Sequence, residues 1–196
     1  MAKLYYQGHG SFRIVLADGH VVYVDPNAGD GYHLPADLIL VTHQHNDHNQ
    51  IKKCAQNPDC RVITNDDALA GGAHQSLDLG WMQIEATQAY NAMHSPAKCV
   101  GYILTADSVT LYASGDTSKT AQMETFAARG LDYALYCCDG VFNMGLDEAA
   151  ECAALVGAKH NIPIHMKPGF LFSQSRADKW TAPNKLVVTP GEEITL

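Results

Sequence analysis

The segment Thr42–Asn49, THQHNDHN, packs four metal-ligating side chains, His43, His45, Asp47 and His48, into six residues directly behind the apolar run Leu38–Thr42 (LILVT). A continuous apolar run of that length is the pattern of a strand covered on both faces. Six residues in a regular strand or helix do not easily surround one ion with four side chains. Leaving a strand through a tight loop, they can project to two neighbouring positions, with His43 and His45 towards one ion and Asp47 and His48 towards another. Imidazole and carboxylate are the ligands preferred by borderline divalent metals such as zinc. The plainer alternative, a His-rich surface loop, fits poorly with HxHxDH spacing immediately after a buried strand.

Two ions need more protein ligands than one loop supplies, so distant segments must contribute. His94 (AYNAMHSPA) follows a strand-like run and a loop. Asp116 (YASGDTS) follows the apolar run Val109–Ala113, and Gly115 permits a tight turn there. His165 (NIPIHMKPG) follows Asn161–Ile164 and precedes Pro168. Singly, each reads as a structural residue. Together with the HxHxDH loop they supply a third ligand for each ion and a bridging carboxylate. His43, Asp116 and His165 also come at or just beyond apolar runs, and strand ends are rigid yet open to a cleft.

The remaining patterns place this site in an α/β chain. Strands are expected at Tyr5–Gln7, Phe12–Leu16, Val21–Val24, Leu38–Thr42, Arg61–Thr64, Met82–Ala86, Val100–Thr105 and Val109–Ala113. Later come a helix over Thr117–Arg129, a strand at Tyr133–Cys138, a helix over Leu146–Val156, and strands at Asn161–Ile164 and Leu186–Val188. Strands first and then alternating helices and strands predict two sheets with outer helices. The length of 196 residues, without repeats or a long linker, predicts one domain over 1–196.

Composition narrows the partners. With 13 Lys+Arg against 21 Asp+Glu the net charge is −8, opposite to the balance of most nucleic-acid binders. No run approaches the roughly 20 apolar residues of a membrane span, and MAKLYYQGHG lacks the apolar core of a signal peptide. The six cysteines (54, 60, 99, 137, 138 and 152) form no CxxC pair and read as buried, reduced thiols. A cytoplasmic location is expected, with a small-molecule substrate and no nucleic acid or membrane partner.

The order HxHxDH, His, Asp, His resembles the metallo-β-lactamase superfamily. GHGSFRI, VDP (Val24–Pro26), LILVTHQHNDH, VGYIL, LYASGDTS, GVFNMGLDEAAECA, IPIHMKPG and the PGE near the end are similar to a subgroup of it, the small metal-dependent hydrolases related to bacterial ascorbate-phosphate lactonase. The resemblance implies an αββα four-layer sandwich with a dinuclear site at one edge. It implies His43, His45 and His94 on the first metal, Asp47, His48 and His165 on the second, and Asp116 bridging. Asp25 would hydrogen-bond the ligand loop. A homo-oligomer is compatible with the subgroup.

Two divalent ions about 3.5–4 Å apart can share a water and lower its pKa towards about 7, giving a hydroxide nucleophile. Asp47 is the candidate catalytic residue, orienting that hydroxide and carrying a proton to the leaving group. No GxSxG elbow is present. The reaction expected is hydrolysis of a small ester, lactone or phosphate ester, with two ions, zinc first and manganese second. The rivals are a nucleic-acid phosphodiesterase, disfavoured by the acidic charge, and a non-catalytic metal-bound ligand sensor. Lys119, Lys167 and Arg176 flank the ligand segments and are candidates for an anionic group, solvated surface charge being the plainer reading. His9, between two glycines, either approaches the cleft or makes a structural turn. Phe170 and Phe172 fit a pocket edge or the core equally well.

Overall fold

The computed structural model describes residues 1–196. Its twelve strands form two six-stranded mixed sheets. The first holds β1 (Lys3–Gly8), β2 (Ser11–Val15), β3 (Val21–Val24), β4 (Ala36–Leu40), β5 (Gln56–Ile63) and β12 (Glu193–Thr195), in the order β12-β1-β2-β3-β4-β5. The second holds β6 (Ser76–Asp78), β7 (Gln83–Gln88), β8 (Val100–Ala106), β9 (Val109–Ala113), β10 (Tyr133–Cys137) and β11 (His160–Ile164), in the order β11-β10-β9-β8-β7-β6. In each sheet the pairs nearest the ligand loops, β3·β4 and β4·β5 or β9·β10 and β10·β11, are parallel, and the others are antiparallel.

Period-two patterning explains why the sheets face one another. From β3 and β4, Val22, Val24, Leu38 and Leu40 point inward; from β8 to β11, Val100, Tyr102, Leu104, Leu111, Leu135, Ile162 and Ile164 answer them in one inter-sheet core. The alternate residues of the second sheet, Ile103, Tyr112, Ala134 and Tyr136, face outward beneath α2 (Leu146–Val156). That helix buries Ala149, Cys152, Ala153 and Val156, a stripe at i, i+3, i+4, i+7 whose small side chains permit close approach. Asp147 and Glu148 lie in its first turn, where negative charge suits the helix dipole. Gly157, in the left-handed conformation, ends it by donating to Ala153 O. Trp180, at the end of α3 (Gln174–Lys179), is fully buried on the same face.

The α/β sandwich expected from the sequence is the architecture present, with thin helical layers. Outside the first sheet, Val21, Tyr23, Ile39 and Val41 are covered by Tyr32, on the loop between β3 and β4, and by a 3₁₀ turn at Ile51–Lys53. The short helix α1 (Asn65–Ala68) follows β5, opened by a reciprocal Thr64–Asp67 capping box.

Two elements differ from expectation. Thr117–Arg129 is not one helix. Tyr90 holds Thr117 and Ser118 in a loop, with Tyr90 N–H donating to Thr117 Oγ1 at 2.9 Å and Ser118 N–H to Tyr90 O at 3.0 Å. Only Ala121–Thr125 and Ala127–Arg129 turn, as 3₁₀ segments, before Gly130 at φ 64°. Of the apolar face expected there, Met123, Phe126 and Ala127, the first two are buried, because i, i+3 spacing suits a 3₁₀ turn as well as an α-helix, and Ala127 is exposed. Leu186–Val188 forms no strand: one bridge joins Lys185 to Asn161 and Leu186 N–H donates to Asn161 O, after which the chain crosses to the other sheet. The closing strand is β12, paired with β1.

Candidate metal centre

The ends of β3, β4, β9, β10 and β11 deliver polar residues to one edge of the sandwich. Asp25, immediately after β3, sits at φ 46° and organises the first ligand loop. Its Oδ1 accepts Thr42 N–H at 2.7 Å, and its Oδ2 accepts Thr42 Oγ1 at 2.7 Å and His48 Nδ1 at 2.8 Å. Thr42 Oγ1 lies in turn 3.0 Å from His43 Nδ1. One buried carboxylate therefore fixes the tautomer of His48 directly and of His43 through a hydroxyl, directing the Nε2 lone pair of each towards the centre. This is the loop-bonding position expected for Asp25. Gly10 is required beside it, since a Cβ there would come 2.9 Å from His48 Cε1.

His94 is held the same way, its Nδ1 2.9 Å from Asn91 Oδ1, and His165 Nδ1 lies 3.0 Å from the Asp139 carboxylate in a close charge contact. Asp116 stands at the centre, on the left-handed turn at Gly115, where a Cβ would lie 2.5 Å from Val100 O. Its Oδ1 is 3.4 Å from His48 Nε2; its Oδ2 is 3.4 Å from His94 Nε2, 3.8 Å from His165 Nε2 and 3.9 Å from His43 Nε2. His43 Nε2 faces His45 Nδ1 at 3.0 Å.

All seven ligand candidates from the sequence thus meet at one place. Three triads have mutually close donor atoms: His43, His45 and His94; His43, His48 and Asp116; and His9, Asp47 and His165. The third brings in His9, whose position the sequence left open. At φ 53°, its ring lies 3.6 Å from that of His165, its Nδ1 donates to Phe170 O at 3.1 Å, and its Nε2 is 3.3 Å from Asp47 Oδ2. Asp139 and Asn91 escaped the sequence reading. For Asp139 the available signal was an Asp within three residues of the end of a buried strand, as for Asp116.

The donor set fits divalent metal on an observation of its own. His48 Nε2, His94 Nε2, His165 Nε2 and Asp116 Oδ1 are buried without a hydrogen-bond partner, although buried polar atoms are ordinarily paired. Four such atoms converging from separate segments are the arrangement that a cation satisfies. The electrostatics agree. Burial opposes the charge of Asp116, yet the surrounding His48, His165, His43 and His94 hold its carboxyl below the usual range. Burial, then His48, pushes His43 down to about 2. Burial also opposes the charged form of His165, but Asp116, Asp139 and Asp47 drive it up to about 10. Asp47 is held low by His165 and His9, and its side chain stays half exposed at the cleft floor.

A cleft of about 200 Å³ opens over His45, Asp47, His94, Asp116 and His165, walled by Met93 and Phe142. It adjoins a lobe of about 470 Å³ lined by Gln44, Asn65, Asp66 and Lys98 beside His43 and His45. Lys119, Lys167 and Arg176 line neither. Arg176 instead donates to Cys138 O at 2.7 Å, and Lys167 Nζ sits over the Phe170 ring. Phe172 packs against the core, whereas Phe170 is exposed.

A His/Asp centre held by loops at one edge of two facing mixed sheets defines a metalloprotein of the α/β-sandwich class. The chain belongs to the metallo-β-lactamase superfamily: residues 3–165 match the model of the β-lactamase superfamily domain. It is 29% identical to a UPF0173 metal-dependent hydrolase of Nitratidesulfovibrio vulgaris, over 99% of this chain and 95% of that one. It is also 29% identical to one of Pyrococcus furiosus, over 84% of each. The solved structure of Igni18, a metallo hydrolase of Ignicoccus hospitalis, superposes with a TM-score of 0.75 over 98% of this chain and 97% of that one; at 19% identity it shows the shared fold. No helix here is long and apolar enough to cross a membrane.

Proposed function

We propose that this chain is a metal-dependent hydrolase of small esters, lactones or phosphate esters, working with two divalent ions, zinc first and manganese second. The observation that carries the reading is the convergence of four unpartnered buried donor atoms around Asp116, beside an open cleft floored by a half-exposed carboxylate. His43, His45 and His94 would hold one ion, Asp47, His48 and His165 the other, with Asp116 between them. When bound, the pair supplies Lewis acidity and makes hydroxide available near neutral pH.

The rest falls to the chain's own residues. Asp25 and Asn91 hold the Nδ1 atoms of His48 and His94, and the Asp139 carboxylate lies against Nδ1 of His165, so that these three Nε2 atoms face inward. Asp47 Oδ2 orients the attacking oxygen and takes up its proton, then passes that proton to the leaving group. His9 Nε2, 3.3 Å from Asp47 Oδ2, holds the carboxylate in place. Met93 and Phe142 wall the cleft beside the reacting position.

Within the superfamily, the GHGSFRI, GVFNMGLDEAAECA and IPIHMKPG stretches support placement near the ascorbate-phosphate lactonase-like hydrolases. The six unpaired cysteines support a reducing, cytoplasmic setting. The test combines elemental analysis with a panel of lactones, esters and phosphodiesters, with His45→Ala as control. About two ions per chain and a turnover lost in the variant are expected. Full activity in chelator-stripped protein would overturn the mechanism.

A further inference from the structure

Large apolar side chains are rarely left in water without a reason when they gather at one place. Five of the seven exposed ones in this chain, Met93, Val141, Phe142, Phe170 and Leu171, sit on loops that border the metal centre. Met93 and Phe142 are 62% and 43% exposed, and both line the same cleft as Asp47, Asp116 and His165.

Their backbones are pinned. Asn91 Oδ1 accepts Met93 N–H at 2.8 Å while holding His94 Nδ1, and Asn91 Nδ2 donates to Phe142 O at 2.8 Å. On its other side Phe142 N–H donates to Asp139 Oδ1 at 2.7 Å, and Asp139 Oδ2 faces His165. The same two residues that orient imidazoles therefore fix the two apolar walls, so these walls are set in register with the reacting position. On the opposite rim, Phe170 and Leu171 are tied to the centre through the carbonyls that accept from His9.

Charge argues in the same direction. Among the residues lining both lobes, Lys98 is the single Lys or Arg, and it lies in the lobe away from Phe142. A phosphate ester carries its charge at the reacting group and is usually met by Arg or Lys. None lines the narrow cleft, and the one cation on its rim, Lys167, is seated over the Phe170 ring at 3.7 Å.

We propose, resting on the hydrolase reading above, that the substrate is an acyl ester or lactone whose non-reacting part is a hydrocarbon group, seated between Met93 and Phe142. The carbonyl lies over Asp116 and Asp47, and the hydrocarbon leaves the centre along the apolar wall.

The test reads binding as well as turnover. Metal-loaded protein is titrated calorimetrically with straight-chain carboxylates from acetate to octanoate, which are product-like probes. In parallel, kcat/KM is measured for p-nitrophenyl esters of the same acids and for p-nitrophenyl phosphate. Kd is expected to tighten by about two- to fourfold per methylene, the range for partial to full burial. Met93→Ser and Phe142→Ser should flatten that slope. Chain-length-dependent binding without hydrolysis of any ester would uphold the apolar site and sink the hydrolase reading. Efficient turnover of the phosphate ester, with a flat carboxylate series, would uphold the hydrolase and overturn the apolar site. A flat series with a dimer in sedimentation that Phe142→Ser dissociates would also overturn it, assigning the rim to contact between copies of the chain.

Discussion

Asp139→Asn isolates the contribution of a residue that touches no reacting atom. Its Oδ1 accepts the amides of Val141 at 2.6 Å and Phe142 at 2.7 Å, and its Oδ2 accepts Asn143 Nδ2 at 2.7 Å while facing His165 Nδ1 at 3.0 Å. An asparagine that keeps its carbonyl oxygen towards the loop amides turns its own NH₂ towards two donors, Asn143 Nδ2 and His165 Nδ1. The loop keeps its shape and the imidazole loses its acceptor. A hydrogen bond to a charged group contributes about 1.5–3 kcal/mol, which corresponds to about 10- to 150-fold in an equilibrium constant. Partners of metal-ligating histidines typically contribute about 10- to 100-fold in affinity. The expectation is therefore a loss of roughly 10- to 100-fold in affinity for the ion that His165 would hold. Competition titration against a chromogenic chelator measures it, with circular dichroism confirming that the variant is folded. A folded Asp139→Asn protein binding metal within about twofold of wild type would refute the claim that Asp139 orients His165.

Other perturbations probe different parts of the same account. Gly10→Ala forces a methyl to within 2.9 Å of His48 Cε1; it should cost about 1–3 kcal/mol of stability and weaken metal binding, read by thermal unfolding with and without metal. Leu38→Ala, at a fully buried inter-sheet position, should cost about 2–5 kcal/mol in denaturant unfolding. In chelator-stripped protein His165 is raised to about 10 in the folded state, so its stabilisation is full below the ordinary histidine range and is lost as pH rises towards 10; Tm should fall over that interval. Asp139, held at about 2, with burial opposing and His165 and loop amides favouring its charge, contributes above the ordinary carboxylate range and is lost on acidification towards pH 2. Because a ligand imidazole must be neutral, metal uptake at pH 7 should release protons, visible as buffer-dependent binding enthalpies.

How legible this centre was depended on how its residues are distributed along the chain. The HxHxDH loop announced itself because four ligands crowd behind one apolar run. His94, Asp116 and His165 are single residues far apart, and their place became readable through that loop and the family pattern. Asp139 and Asn91 act by bonding other ligands, and a lone Asp or Asn at a loop start looks the same whether or not a histidine lies above it. Strands with two-faced burial, such as β3, β4 and β10, were plain from period-two or continuous apolar patterning. The three-residue edge strands β6 (SLD) and β12 (EIT) carry almost no pattern of their own, because pairing with β7 and β1 makes them strands. The segment Thr117–Arg129 shows the converse: the burial of Met123 and Phe126 was readable, but Tyr90, distant in sequence, decided the backbone of its first residues.

The ligand segments come from both sheets: His43, His45 and His48 follow β4, while Asp116 and His165 follow β9 and β11. An ion held by His48 and His165 would cross-link the two halves of the molecule, closing the loop that runs between those residues. Such closure removes chain entropy from the unfolded state much as a long-range disulfide does, and this chain has no disulfide. A cut in the exposed stretch between α1 and β6 would then leave two fragments, paired through the inter-sheet core, whose association the loaded centre strengthens and a chelator weakens.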